Sequence, residues 1–257
     1  MENEEFEIMY HIEQSHWWFR GKQFLLKQAL KSLDNKASEN GRILDIGAGT
    51  GIILKILMDF GEAYGIELSP QAIKFLKKRK LKRIICADAD YSLPFKNDTF
   101  TMITCLDVLE HLEKDVGLFK EMIRISRPGG HILVAVPAFD IFWGSHDVAL
   151  HHKRRYTRKK ILQIIREMNC RVVKASYYNI TLSMPILAVR TFKSIFLHNR
   201  QAQSDFFMSL PNFLNSLLGF LYKAEIWCLK SINFPFGVSV VLVLRKSGGN
   251  KHGMVKG

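Results

Sequence analysis

The stretch Ile43-Leu-Asp-Ile-Gly-Ala-Gly-Thr-Gly51 decides how this chain is read. The apolar run over Arg42–Ile46 predicts a buried strand, and the apolar segment after Gly51, reaching Phe60, predicts a helix. Between them Gly47, Gly49 and Gly51 let the backbone turn sharply and come close to a ligand. Such a turn is shared by many nucleotide sites and is a weak signal alone. Three neighbours sharpen it. Asp45 can accept hydrogen bonds from a cationic ammonium, whereas a pyrophosphate site disfavours a negative charge there. Glu67 ends the next strand, where an acidic group can take ribose hydroxyls. Asp88-Ala89 ends the third strand and offers a carboxylate beside a backbone N–H, which suits the amino edge of adenine.

Working outward, a second strand is expected over Ala63–Glu67. Ser69 and Pro70 then cap and open a helix over Gln71–Lys80. Further strands are expected over Arg83–Ala87, Phe100–Cys105, His131–Val136, Arg171–Tyr177 and Val238–Arg245. A helix over Asp115–Ser126 ends at Pro128-Gly129-Gly130, and Thr157 caps another that runs to Met168. Strands alternating with helices imply a mostly parallel sheet covered on both faces. Residues 5–33 read as helical with a break near Gly21. The chain therefore divides into an N-terminal helical cap (1–41), a main domain (42–246) and a disordered tail (247–257). Within the main domain, Asn179–Pro235 reads as a hydrophobic helical insertion between the last two strands.

At 257 residues the chain is long enough to bury a substantial core. Its net charge of +13 favours anionic partners: nucleic acid, an anionic membrane surface or phosphorylated substrates. Cys86, Cys105, Cys170 and Cys228 form no CxxC pair, so no metal site is expected, and a reducing, cytoplasmic setting is the simplest reading. The acidic start Met1-Glu-Asn-Glu-Glu5 does not resemble a signal peptide. The apolar segment Phe206–Tyr222 carries Pro211, Asn212 and Asn215, which suits a helix lying on a membrane or partner better than one crossing a bilayer. Arg190, Lys193, His198 and Arg200 beside Phe192, Ile195, Phe196 and Leu197 have the same interfacial mix.

The segments DIGAGTG, GIELSP, LPFKNDTF, LDVLEHL and RPGGHILVAVP stand in the order and spacing of class I S-adenosylmethionine-dependent methyltransferases. The chain resembles their type 11, ubiquinone-biosynthesis-like branch, closely over residues 42–137. The resemblance implies a Rossmann-like seven-stranded sheet in the order 3-2-1-4-5-7-6, with strand 7 antiparallel. It also implies S-adenosylmethionine as cofactor, contacted by Asp45, Gly47, Ala48, Gly49, Gly51, Glu67, Leu68, Asp88, Ala89 and Leu106. Asp88 stands one residue farther from Leu93 than is usual for the family, so Asp90 is a rival for the adenine contact. HWWFR (16–20) and SHDVALHHKRRYT (145–157) resemble a bacterial subgroup often linked to lipid or glycan pathways. In related enzymes an N-terminal helix covers the cofactor, which gives Arg20 the methionine carboxylate as a partner. As a surface charge it has no such role.

The segment after strand five lies at the ligand-binding edge of the sheet. There His146 and Asp147 form a candidate base and its orienter. His151, His152, Arg154, Arg155 and Tyr156, with Trp17, are candidates for holding the acceptor; a solvated basic loop is the plainer alternative. The expected function is methyl transfer to oxygen or carbon of a small, hydrophobic or lipid- or glycan-linked acceptor. An RNA acceptor and a silent scaffold are the alternatives, and homodimerisation or peripheral membrane contact would be compatible with the insertion.

Overall fold

The computed structural model describes residues 3–32, 41–181, 183–185, 187 and 210–248. Seven strands form one sheet: β1 (Arg42–Ile46), β2 (Glu62–Glu67), β3 (Ile84–Cys86), β4 (Phe100–Leu106), β5 (Ser126–Pro137), β6 (Cys170–Tyr178) and β7 (Ser239–Lys246). Their order is β3-β2-β1-β4-β5-β7-β6. The first five strands pair in parallel, and β7 runs antiparallel to both β5 and β6. This is the Rossmann-like sheet expected from the sequence, including the reversed last strand.

The described helices are α1 (Asn3–Ile12), α2 (Trp17–Ser32), α3 (Ile52–Leu57), α4 (Pro70–Lys78), α5 (Asp115–Ile125), α6 (Ser145–Ala149), α7 (Arg158–Ile165) and α8 (Asn212–Cys228). Strand periodicity distributes their partners. Leu44, Ile46, Ile103, Ile132, Val134 and Leu242 point to the face covered by Phe119, Met122 and Ile161 of α5 and α7. Ile43, Met102, Leu133, Val241 and Val243 point to the other face, onto Leu26, Leu54, Leu57 and Tyr222 of α2, α3 and α8. Each such fully buried aliphatic side chain contributes roughly 1.5–3 kcal/mol relative to exposure.

The chain leaves β1 toward β2 and β3 on one side and later builds β4 and β5 on the other. The crevice beyond the C-terminal ends of β1 and β4 is therefore the topological switch point, where open sheets bind ligands.

Two local expectations change. The break in the N-terminal helices falls at Glu13–His16, where Ser15 and His16 both donate to the Ile12 carbonyl, at 2.9 and 2.8 Å. Gly21 lies inside α2, and a Cβ there would stand 1.7 Å from Tyr222 Cδ1, so it is the close approach of α2 and α8 that requires glycine. Pro128-Gly129-Gly130 does not precede β5 but lies within it. Phe100 pairs with Ser126 and Met102 with His131, an irregularity that Gly129 absorbs at φ 78°. Within the expected insertion, α8 is described. The 190–200 basic and apolar cluster, residues 33–40 of the linker and residues 249–257 of the tail lie outside the described residues. Among the described residues no helix is long and apolar enough to cross a membrane.

Candidate active site

The glycine turn connects β1 to α3, with Gly47, Gly49 and Gly51 at φ 71°, 53° and 92°. That left-handed backbone favours residues without a Cβ. A Cβ on Gly47 would meet Val108 Cγ2 at 2.4 Å. The N–H groups of the turn are largely spent inside it. Gly47 and Ala48 donate to the Ile66 carbonyl at 3.0 and 2.9 Å, Gly51 to the Ala48 carbonyl at 2.9 Å, and Gly49 to Glu67 Oε2 at 2.7 Å. A pyrophosphate-binding turn instead presents such N–H groups to the ligand. This turn is shaped to present a surface and a carboxylate.

That carboxylate is Asp45. It is buried, Oδ1 accepts from Thr104 Oγ1 at 2.6 Å, and Oδ2 has no hydrogen-bond partner. Burial pushes its carboxyl up to about 7; the Thr104 hydrogen bond opposes the shift and the nearby Glu67 charge adds to it. Glu67 is also buried. Its Oε1 accepts from Leu68 and Ser69 N–H at 2.9 and 2.8 Å, so with the Gly49 bond three of about four acceptor positions are filled. One acceptor position is left for a hydroxyl rather than two. Leu68 is 54% exposed beside it, an apolar surface at the rim, and Leu106 is half-buried at the end of β4.

Asp88 and Asp90 differ in what they have left. Asp90 spends both oxygens on the N–H groups of Lys114 and Glu113, at 2.8 and 3.2 Å. Asp88 accepts from Asp90 N–H through Oδ1 alone, at 2.9 Å, and stands next to the half-buried Ala89.

Helix α1 leans over the turn. Glu13, just past its end, accepts from Thr50 Oγ1 at 2.5 Å and pairs with Arg79, whose Nε donates to the Thr50 carbonyl at 2.8 Å. The sequence reading missed Glu13, because nothing along the chain links it to residues 50 and 79. It missed Lys22 as well. Arg20 is exposed on α2, whereas Lys22 turns inward over the Trp18 ring and pairs with Asp107. Burial lowers Lys22 to about 8. Trp17 is half-buried between the helices, its ring 6.0 Å from that of Tyr222, and its backbone N–H donates to Asn215 Oδ1 at 2.8 Å.

After β5 the chain forms α6 and a basic segment. Asp147 is fully buried there. It accepts from His152 Nδ1 at 2.9 Å, Gly144 N–H at 2.9 Å, and Arg155 Nε and Nη2 at 2.8 and 3.0 Å. Arg155 also donates to the Ala138 carbonyl at 2.9 Å. Tyr156 donates its hydroxyl to Asp115 Oδ2 at 2.8 Å and the Leu109 carbonyl at 3.2 Å. Arg155 and Tyr156 thus direct their polar groups into the protein. His151 is exposed at φ 56°, and His146 is half-buried with its ring 6.1 Å from that of His152. Ile141, Trp143 and Val148 are exposed along the same segment.

Beneath it, the short turn Leu109–His111 follows β4. Burial lifts Glu110 to about 7, and burial with the neighbouring His152 lowers His111 to about 3.

Residues 44–134 match the family described as a methyltransferase domain. The chain is 37% identical over 108 residues to an uncharacterized protein of Methanocaldococcus jannaschii, covering 42% of this chain and 44% of that one. It is 29% identical over 130 residues to a human protein named probable tRNA methyltransferase 9B, covering 49% of this chain and 26% of that one. The chain thus spans less than half the length of either relative. A solved Haloferax volcanii complex of the Trm112 methyltransferase activator with a methyltransferase aligns at TM-score 0.60 and 16% identity, over 94% of each chain.

Proposed function

We propose, from the premise that residues 44–134 match a methyltransferase domain, that the chain is a class I S-adenosylmethionine-dependent enzyme that methylates an oxygen or carbon of a small apolar acceptor. The observation that carries the reading is Asp45, a buried carboxylate whose Oδ2 has no partner, set beside a turn whose own N–H groups are largely satisfied within it. An acceptor oxygen left unpaired in a buried site is costly unless a donor completes it. An ammonium-bearing nucleoside fits that requirement and a dinucleotide pyrophosphate does not.

The residues fit the cofactor as a set. Asp45 would hold the ammonium, Glu67 one ribose hydroxyl, and Asp88 with the Ala89 N–H the adenine edge. Leu68 and Leu106 would flank the ring, and Gly47, Ala48 and Gly49 would admit the chain of the ligand. Asp88 is preferred over Asp90 because Asp90 has both oxygens engaged. On α2, inward-turned Lys22 joins Arg20 as a candidate for the methionine carboxylate. When bound, the sulfonium supplies an electrophilic methyl group. The protein's own contribution is to position the two reactants, with α1 and Glu13 covering the turn against water. His146, beside the Asp147–His152 pair, is the candidate for taking a proton from the acceptor.

Exposed Ile141, Trp143 and Val148 support an apolar acceptor at this edge. Phe213, Leu217, Phe220 and Trp227 form an exposed stripe on one face of α8, which supports delivery of that acceptor from a lipid surface. The net charge of +13 and the likeness to a tRNA methyltransferase-named relative support the second reading, an RNA acceptor.

Calorimetric titration with S-adenosylmethionine and S-adenosylhomocysteine, repeated on Asp45→Ala and Glu67→Ala, tests the cofactor. Absence of binding by the intact chain would defeat the reading. Radiolabel transfer into a lipid extract supports the apolar acceptor, and transfer into total RNA selects the second reading.

A further inference from the structure

Beyond the glycine turn, three side chains of metal-binding type converge. Glu110 and His111 come from the turn after β4, and His152 comes from the segment after β5. Their donor atoms lie within 4.8 Å of one another. The Lys153 N–H donates to the Glu110 carbonyl at 2.7 Å and ties the two segments together.

Glu110 is fully buried, and neither of its carboxylate oxygens has a hydrogen-bond partner. The nearby cations are committed elsewhere: Lys22 to Asp107, and Arg155 to Asp147 and the Ala138 carbonyl. The Lys22 and Arg155 charges offset the burial of this carboxylate only in part, and neither places a hydrogen bond on it, so its two unpaired oxygens still lack full compensation. A bound cation would supply that compensation.

The imidazoles are held as metal-ligating imidazoles usually are, with one nitrogen fixed by an acceptor and the other left to coordinate. His152 has Nδ1 on Asp147 Oδ1 at 2.9 Å, which leaves Nε2. His111 bonds the Leu150 carbonyl through its ring. Asp147 is itself fixed by Arg155 and the Gly144 N–H.

We propose that Glu110, His111 and His152 bind one divalent transition-metal ion. Two imidazoles and one carboxylate suit zinc, iron(II) or manganese(II), whereas magnesium and calcium take oxygen ligands. Three protein ligands leave coordination positions open, as in catalytic rather than structural sites, and an oxygen-bearing small molecule is the class of ligand those positions take. The turn that carries Glu110 and His111 leaves β4 at the same sheet edge as Asp45, the pair β1–β4 being parallel. The sequence reading expected no metal because no ligand spacing shows along the chain. Here the fold brings the third ligand from a separate segment. The metal site stands independently of methyl transfer; its use by an acceptor rests on that reading.

The test uses the untagged full chain, stripped with a chelator and titrated with Co²⁺, whose visible bands report the ligand set. One Co²⁺ per chain, displaced by Zn²⁺, is expected. Glu110→Gln and His152→Gln should each weaken binding by at least about tenfold, since outer-shell changes alone cost about 10–100-fold. His11→Gln, on α1, should leave it unchanged, and circular dichroism should report an intact fold. If Glu110→Gln fails to fold, His111→Gln and His152→Gln decide. Absence of bound Co²⁺, or equal binding by folded variants, overturns the proposal. S-adenosylmethionine titration of the same samples separates the two readings. Cofactor binding without Co²⁺ defeats the metal site alone, and Co²⁺ binding without cofactor defeats the methyltransferase reading alone.

Discussion

Asp45, within β1, and Asp147, in α6 beyond β5, are both buried aspartates, yet their surroundings are opposite. Asp147 is saturated by donors from Gly144, His152 and Arg155. Asp45 has one donor, Thr104, and a bare Oδ2. A saturated buried carboxylate organises its neighbours. An unsaturated one retains capacity for something that is not protein. The sequence makes both plausible as chemical groups, and the difference lies in what each has left to bond.

The comparison is broken most directly at Asp147. Asp147→Ala should strand a buried guanidinium and destabilise the fold by about 3–5 kcal/mol. Chemical denaturation measures this, and a change below about 1 kcal/mol would mean that Asp147 is not the organiser of its segment. Asp45→Ala should do the reverse. Cofactor affinity should weaken by about 1.5–3 kcal/mol, the worth of a hydrogen bond to a charged group, while the fold keeps its stability. Calorimetry and denaturation on one preparation read both.

pH sharpens the contrast further. The Asp45 carboxyl is raised to about 7, so it binds a proton in the free protein below that value. Affinity for an ammonium-bearing ligand should therefore be highest above pH 7 and fall as pH drops through it. In the free protein the sign is opposite, since charging a buried acid lowers stability as pH rises from the ordinary carboxylate range through 7. Titrations at pH 6 and 8 check the first statement, and Asp45→Asn should flatten the difference. The smallest effect is expected at Tyr156→Phe, which removes bonds to Asp115 and the Leu109 carbonyl. It should cost about 1 kcal/mol in stability and leave cofactor affinity unchanged.

The candidate cofactor residues could be named together from the sequence because they are local. Asp45, Gly47, Gly49 and Gly51 lie within one strand–turn–helix, and Glu67 and Asp88 end or follow successive parallel strands. The acceptor side was less legible. Arg155 and Tyr156 read as candidates for holding the acceptor, but in the structure they turn inward to Asp147 and Asp115. Lys22, two residues beyond the expected Arg20, reaches the interior instead, because helical periodicity places neighbours on different faces.

The sequence by itself determined the alternation of strands and helices, the reversed last strand through its family resemblance, and the identity of the glycine turn. Period-2 and period-3.6 patterns and positive-φ glycines are written into short stretches of chain. Tertiary structure alone decided which polar side chains have unspent bonding capacity. It brought Glu13 to Thr50 and Arg79, committed Arg155 to Asp147, and placed Glu110, His111 and His152 together. Satisfaction of a buried polar group depends on donors and acceptors far away in sequence, so it is settled only when the segments pack.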